Sequence, residues 1–115
     1  MSTEAEITQI EQTINYNLPK LYREFLLNLE ADQVYEINNS GVYLYSINDL
    51  IERNETYEVP EYEPDYFLIG QDGDLAFFIK KDNSELIFSN DLGAIGSLDM
   101  ENESENINEL IKNNS

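Results

Sequence analysis

The segment from Tyr66 to Asn90, YFLIGQDGDLAFFIKKDNSELIFSN, constrains the fold of this chain more than any other. Three apolar runs, 66–69, 75–79 and 86–88, are separated by two short polar turns, which is the pattern of an antiparallel meander. In the middle run Phe77 and Phe78 must point to opposite faces, because side chains alternate along a strand. The sequence therefore predicts a central strand covered on both sides, with the flanking helices packed against the sheet.

The N-terminal part of the chain predicts two amphipathic helices. Thr3 and Glu6 have capping-box spacing ahead of Ile7, Ile10 and Ile14, which repeat at helical intervals. A break follows at 15–17. The second helix begins around Pro19, a residue suited to a first helical turn, and its apolar stripe consists of Leu18, Leu21, Tyr22, Phe25, Leu26 and Leu29.

The middle of the chain predicts a hairpin followed by a third helix. The two arms are 34–37 and 42–45, joined by a turn at 38–41. In the second arm, Val42 and Leu44 face one way, and Tyr43 and Tyr45 face the other. Ser46, with Asp49 three residues later, marks the start of a helix that fades near residue 56 or 57.

The remaining segments complete an α+β prediction. The acidic stretch 58–65, EVPEYEPD, contains two prolines and predicts an exposed, stiff loop without regular structure. A loop with two glycines follows the meander, and 107–111 has the spacing of a short last helix before a frayed end at 113–115. We expect a single domain over 1–115, with a largely antiparallel central sheet flanked by N-terminal helices, a middle helix and a short C-terminal helix.

Composition excludes several classes of site. The chain has no cysteine and no histidine, so disulfides, thiolate metal sites and a Ser-His-Asp or Cys-His arrangement cannot be built from it. The segment Asp72-Gly73-Asp74 resembles the start of a calcium loop, but Asn83 stands where an EF-hand requires a bidentate glutamate. Phosphate-loop motifs are absent, and no feature selects one carboxylate pair among 24 acids. We expect no catalytic residues, metal or cofactor.

The charge balance is the strongest global signal. Twenty-four Asp and Glu face six Lys and Arg, which gives a formal net charge of −18. Such a chain repels nucleic acid and anionic membranes and attracts basic partners, although the same charge also suits the solubility surface of an intracellular protein. The N-terminus lacks the features of a signal peptide and no apolar run is long enough to span a membrane, so we expect a cytoplasmic protein.

Tyrosines interleaved with acids form the candidate interface. Protein interfaces favour tyrosine for its large rigid body and its hydroxyl group, and surrounding acids would steer a basic partner. The alternative is that the tyrosines are half-buried sheet residues and the acids a solvated rim. The predicted partner-binding residues are Tyr43, Tyr45, Glu55, Tyr57, Glu58, Glu61, Tyr62, Glu63, Asp65, Asp72 and Asp74.

The order of three motifs resembles the SUKH superfamily, immunity-type domains often found beside polymorphic toxin genes in bacteria. The first is I-E-x-x-I followed by Leu18-Pro19-x-x-Tyr22-x-x-Phe25-Leu26, and the second is the strand and helix over LYSINDL. The third is Phe67-Leu68-Ile69-Gly70-x-Asp72-Gly73, followed by an aromatic strand, a polar turn and a further strand. The chain departs from the family pattern after the second helix, where Glu30-Ala31-Asp32 replaces Asn-Gly, at Asp74, which replaces a second glycine, and in having no tryptophan.

The resemblance implies a bacterial, non-enzymatic immunity protein that binds a toxin domain, often a nuclease or deaminase, and blocks it. A basic nuclease cleft would suit the acidic chain, and we expect a monomer because like charge disfavours self-association. A regulatory or scaffolding domain of the same fold is the alternative. An enzyme that uses a carboxylate pair or a metal is the third hypothesis.

Overall fold

The computed structural model describes residues 4–29, 32–37, 40–82, 84–97 and 99–114, and in these ranges five α-helices surround a six-stranded antiparallel sheet. Each strand pairs with its neighbour in sequence, in the order β1-β2-β3-β4-β5-β6. The helices are α1 Glu4–Ile14, α2 Lys20–Leu27, α3 Ile47–Thr56, α4 Val59–Tyr62 and α5 Ile107–Asn113. The strands are β1 Tyr35–Glu36, β2 Tyr43–Leu44, β3 Tyr66–Asp72, β4 Leu75–Lys80, β5 Ile87–Asp91 and β6 Glu101–Ser104. The α+β prediction is confirmed.

Strand β4 is the buried centre of the sheet, as its sequence predicts. Phe78 lies opposite Leu68 on one side and Phe88 on the other, and both Phe77 and Phe78 are buried. On the Phe78 face, the Tyr66 ring meets the rings of Phe78 and Phe88 edge-on, at centroid distances of 6.3 and 5.5 Å. Both faces of the strand are therefore covered, because neither phenylalanine reaches solvent.

Helix α2 connects the N-terminal part of the chain to the opposite face of the sheet. Tyr22 and Leu26 on this helix are buried, and the Phe25 ring packs edge-on against Tyr35 of β1 at 5.5 Å. The N-terminus of α2 is anchored by Glu85, whose carboxylate accepts the Leu21 N–H at 3.2 Å. A carboxylate at this position both satisfies a free backbone donor and complements the helix dipole.

The junction of α1 and α2 is closed by an acid–arginine contact. Asn15 ends α1 with a φ of 56°, in the left-handed region. Glu11 accepts the Leu18 N–H at 2.8 Å and lies 3.5 Å from the Arg23 guanidinium, which also pairs with Glu4. These contacts hold the two helices against each other across the predicted break.

Two segments differ from the sequence prediction. The stretch 58–65 is not irregular throughout, since α4 occupies Val59–Tyr62 and Val59 is fully buried. Pro60 is tolerated there because it stands in the first helical turn, where no backbone N–H is needed. Strand β6 was not predicted. The predicted cap at Thr3, the turn residues Asn38, Asn39 and Asn83, and the terminal Ser115 lie outside the described residues.

Asn54 on α3 completes the hydrogen bonding of β3 where β2 ends. Strand β2 pairs with β3 at Gly70 and Gln71, and the Tyr45 N–H donates to the Ile69 carbonyl just beyond, where the register of β3 shifts between Leu68 and Gly70. Beyond that point the buried Asn54 side chain accepts the Leu68 N–H at 2.8 Å and donates to the Leu68 carbonyl at 2.9 Å. One side-chain amide therefore replaces a strand partner and fixes α3 to the sheet.

We predict that Asn54→Leu lowers the free energy of unfolding by about 2–4 kcal/mol, because it leaves the Leu68 N–H and carbonyl buried without partners. Urea unfolding followed by circular dichroism measures this. Asn48→Leu on the exposed side of α3 is the matched control and should change the free energy by no more than about 0.5 kcal/mol. Equal effects of the two substitutions would contradict the strand-partner role of Asn54.

The Tyr22 hydroxyl is buried and has no hydrogen-bond partner among the described residues. Burial raises the pKa of this phenol above its usual 10.0. Because the folded-state pKa is the higher one, this contribution to stability is complete below pH about 10 and is lost as the pH rises further. Tyr22→Phe should therefore be as stable as the parent near pH 7, or more stable, and lose less stability in alkali.

Urea unfolding of both proteins at pH about 7 and above pH about 10 tests this, since the two proteins differ only in the Tyr22 hydroxyl. A loss of more than about 1 kcal/mol at neutral pH on Tyr22→Phe would show that the hydroxyl makes a favourable bond.

Candidate protein-binding surface

A surface groove of about 450 Å³ lies where the β1–β2 hairpin meets α3 and the β3–β4 turn. We call it the Tyr43 groove, and its lining residues are Val34, Tyr43, Tyr45, Asp49, Arg53, Gln71 and Gly73. Val34 and Tyr43 are 43% and 40% exposed and lie together in this groove. The groove therefore offers an aromatic and an aliphatic contact to a partner.

Strand alternation places Tyr43 on the outside of β2. Its neighbour Leu44 is fully buried, while Tyr43 lies opposite Glu36 on one side and Gln71 on the other. The prediction that Tyr43 and Leu44 face opposite ways is thus confirmed. Because Tyr43 stands between two polar residues across the sheet, its ring projects from a polar surface.

Tyr45 forms the inner wall of the groove and is only 4% exposed. Its hydroxyl donates a hydrogen bond to the Gln71 side chain, and the Arg53 guanidinium lies 5.5 Å from its ring centroid in a cation–π contact. Burial, followed by the proximity of Tyr57, raises the pKa of Tyr45, while Arg53 acts in the opposite direction. Tyr45 therefore supports the groove and presents little surface of its own.

The β3–β4 turn brings carboxylates to the edge of the groove. Asp72 lies between the lining residues Gln71 and Gly73, and its carboxylate oxygen would be 3.0 Å from a Cβ placed on Gly41. Both glycines have positive φ angles, of 90° for Gly41 and 59° for Gly73, so both turns need glycine. Asp74 accepts the Leu92 N–H through its backbone carbonyl at 2.7 Å, and its side chain is on the exposed surface.

A second tyrosine–acid group surrounds α4, and we call it the Tyr62 cluster: Glu58, Glu61, Tyr62 and Glu63. Tyr62 is 51% exposed, and the carboxylates of Glu58 and then Glu61 raise the pKa of its phenol. Glu63 accepts the Gly96 N–H at 3.3 Å, which joins α4 to the loop after β5. This cluster presents an accessible aromatic ring among negative charges.

The remaining predicted residues lie apart. Tyr57, at the end of α3, is half-buried and close enough to Tyr45 to affect its pKa. Glu55 lines a separate cleft of about 280 Å³ between α1, α3 and the start of β3. Asp65 precedes β3, at the end of the β3–β4 hairpin opposite to Asp72, and its carbonyl accepts the Lys81 N–H at 2.8 Å. The predicted set therefore divides among several surfaces, and its role in binding stays a prediction.

Sequence reasoning missed five groove residues as members of a site: Val34, Asp49, Arg53, Gln71 and Gly73. Asp49 and Arg53 could have been found, because residues four apart share one face of a helix. Gln71 could not, because its place beside Tyr43 depends on the β2–β3 register. The groove is thus assembled from hairpin, helix and turn.

The described residues were also compared with the requirements of a metal site and of a membrane-spanning helix. No cluster of three or more acidic side chains there has a geometry that could hold a metal ion. No helix there is long and apolar enough to cross a membrane.

Comparison with known proteins gives a family match over almost the whole chain. The model of the family described as SMI1 / KNR4 family (SUKH-1) matches residues 1–113. The chain is also 32% identical over 80 residues to the uncharacterized protein YnaB of Bacillus subtilis (strain 168), an alignment that covers 70% of this chain and 51% of YnaB. The chain thus spans about half the length of that relative.

Gly70 sets the distance between β2 and β3 and so positions Tyr43. A Cβ on Gly70 would lie 2.8 Å from the Leu44 side chain and closer still to the Tyr43 carbonyl oxygen. Any larger residue must therefore push β2 outward. This close approach gives a steric reason for the glycine at position 70 in the third sequence motif.

We predict that Gly70→Ala destabilises the protein by about 1–3 kcal/mol, because the added methyl group overpacks a rigid backbone contact. The first measurements are thermal unfolding and the amide NMR shifts of residues 42–45, which should move most. Gly93→Ala is the matched control, since a Cβ there would meet only the Asp91 carboxylate, at 3.3 Å, and not the backbone of a neighbouring strand. Unchanged shifts at 42–45 in Gly70→Ala would contradict this role.

Proposed function

The chain belongs to the SMI1/KNR4 family (SUKH-1), and we propose that it is a non-enzymatic bacterial immunity protein that binds and neutralises a cognate protein toxin. The toxin domain we propose is basic and nuclease-like. The observation that supports this best is the Tyr43 groove, which exposes Val34 and Tyr43 on a chain with a net charge of −18. We place the interaction in the cytoplasm, with a monomeric immunity protein.

Charge complementarity is the physical basis for a basic, nuclease-like partner. Nucleases bind a phosphate backbone through clusters of Lys and Arg, so their clefts carry a positive potential. An acidic protein is attracted to such a cleft, and the attraction raises the association rate and weakens with added salt. Occupying the cleft would exclude nucleic acid without any chemistry by the immunity protein.

The groove also has the chemistry to receive a basic side chain. In the wall of the groove, the exposed Arg53 already packs over the Tyr45 ring. Tyr43 offers a second, exposed ring, with Asp49 lining the groove and Asp72 at its edge. A partner Lys or Arg over Tyr43 would therefore combine a cation–π contact with nearby carboxylates.

Capture from the bacterial host tests the proposal. The tagged protein is used to isolate partners at low and then moderate salt, and the captured polypeptides are identified by mass spectrometry. A basic polypeptide held one to one, whose toxicity disappears when this protein is co-expressed, would support the immunity function. A host protein that is harmless alone would favour a regulatory or scaffolding domain instead.

We predict that the double variant Val34→Ser, Tyr43→Ser weakens binding to the captured toxin about 100-fold, mainly through faster dissociation, because truncating a central aromatic anchor costs about 2 kcal/mol or more. Surface plasmon resonance provides both rates. The matched control is Tyr62→Ser, which removes an exposed tyrosine from the Tyr62 cluster.

The triple reversal Glu58→Lys, Glu61→Lys, Glu63→Lys distinguishes the two surfaces. If the Tyr62 cluster contributes to steering, association slows, and the difference is largest at low salt. An unchanged association rate would exclude that cluster from the docking face. Unchanged dissociation of the Val34 and Tyr43 double variant would exclude the groove.

A further inference from the structure

Strand β6 forms an exposed edge of the sheet with an unusual sequence. Acids occupy every second position from 99 to 105, and these four side chains, Asp99, Glu101, Glu103 and Glu105, are all exposed. β6 is hydrogen-bonded to β5 on one side, and in the described part of the chain no strand pairs with its other side. A free edge of this kind can accept a strand from another protein.

Two acids of β6, Glu101 and Glu103, lie close together beside Ser89 of β5. Glu101 lies opposite Ser89 of β5, and Glu103 accepts a hydrogen bond from the Ser89 hydroxyl at 2.9 Å. The register of the β5–β6 pair shifts between Ile87 and Phe88, and Glu103 is the extra residue of this β-bulge, without a partner on β5. The carboxylates of Glu101 and Glu103 therefore both lie near Ser89. A strand added at this edge would place alternate side chains beside them.

An open groove of about 380 Å³ continues from the start of β6 across the end of the sheet. Its apolar contacts are Leu75, which is 38% exposed, and Met100, and its acids are Asp91, Asp99 and Glu101. Long basic side chains fit such a mixture, because their aliphatic stems pack on apolar surface while the charged ends reach carboxylates. The groove is formed by different residues from the Tyr43 groove.

The negative charge of β6 disfavours pairing of this edge with a second copy of itself. A second copy of β6 would bring acids against acids, and like charges directly opposite each other across strands are destabilising. A partner strand with basic residues at alternate positions would instead place opposite charges beside Glu101 and Glu103. The edge is therefore closed to self-pairing and open to a basic strand.

We propose that the outer edge of β6 receives an extended segment of a protein partner that carries Lys or Arg at every second residue, pairing with it through backbone hydrogen bonds. This inference rests on the proposed function in one respect, that the partner is a basic protein. It adds a second docking element, distinct from the Tyr43 groove, and specifies the conformation and charge spacing of the segment that binds there.

Two synthetic peptides of identical composition test the pairing on the intact chain, Lys-Thr-Lys-Val-Lys-Thr-Lys-Val and its isomer with the four lysines consecutive. We expect the alternating peptide to bind at least about fivefold more tightly at low salt and to slow amide exchange at residues 100–104. Equal affinity, or NMR shifts centred on the Tyr43 groove, would overturn the proposal, because either would mean that charge alone attracts the peptide.

Substitutions on β6 separate the edge from the general acidity of the protein. Glu101→Gln, Glu103→Gln, Glu105→Gln should weaken the alternating peptide about tenfold, because it removes the two carboxylates beside Ser89 and a third just past the end of β6. The matched control, Glu24→Gln, Asp32→Asn, Glu52→Gln, removes the same charge from exposed positions elsewhere. Equal weakening by the two triple variants would contradict the edge assignment.

The same variants distinguish failure of this inference from failure of the proposed function. If a captured toxin binds the β6 triple variant and the control triple variant equally well, the edge proposal is wrong while toxin binding stands. If no toxin is captured, the immunity proposal fails, and the peptide pair still decides whether the edge accepts a basic strand.

Discussion

The pairing of Asn54 with Leu68 is the contact on which the arrangement of the candidate site depends. Strand β3 is seven residues long, whereas β2 is only two, so most of the β3 edge has no strand beside it. A buried strand edge cannot leave its polar groups unpaired, and the Asn54 amide supplies both a donor and an acceptor. The helix that carries this amide also carries Asp49 and Arg53, so the same contact fixes the groove wall.

Gly70 is the second residue on which the pairing of β2, β3 and α3 depends. Without a side chain at this position, β2 approaches β3 closely enough to pair, and one residue before it the register of β3 shifts. Just beyond the shift, Asn54 takes over from β2 as the partner of β3. The buried Tyr45 lies just before this change, since its N–H still donates to the Ile69 carbonyl at 2.9 Å.

The sequence was sufficient where apolar periodicity decides structure. The meander, α1, α2, α3 and α5 all follow from spacing, because each must bury one face or stripe against a common core. Strand β6 was missed because Glu101–Ser104 has almost no apolar residue, and its strand conformation comes from pairing with β5. Helix α4 was missed because two prolines suggested a loop, although Pro60 occupies the one helical turn that accepts it.

The candidate site was only partly predictable for a related reason. Tyr43, Tyr45 and Asp72 come together because hairpin and turn meet at one end of the sheet, and alternation predicts which way Tyr43 faces. Alternation alone also groups Tyr45 with Tyr43, yet Tyr45 is buried by α3, whose position depends on Asn54. Which of two equivalent positions on a strand stays exposed is a tertiary property, and local sequence does not contain it.

Half of the basic side chains make contacts within the molecule. Arg23 pairs with Glu4 and Glu11 between helices, Arg53 lies over Tyr45, and Lys80 lies 5.9 Å from the Tyr66 ring, so three of the six cations make intramolecular contacts. The net charge of −18 repels a second copy of the chain and attracts a basic partner. Salt screens both effects over about 8–10 Å, so net charge alone distinguishes poorly between basic partners. We expect selectivity to come from the exposed ring of Tyr43 and from backbone pairing at the outer edge of β6.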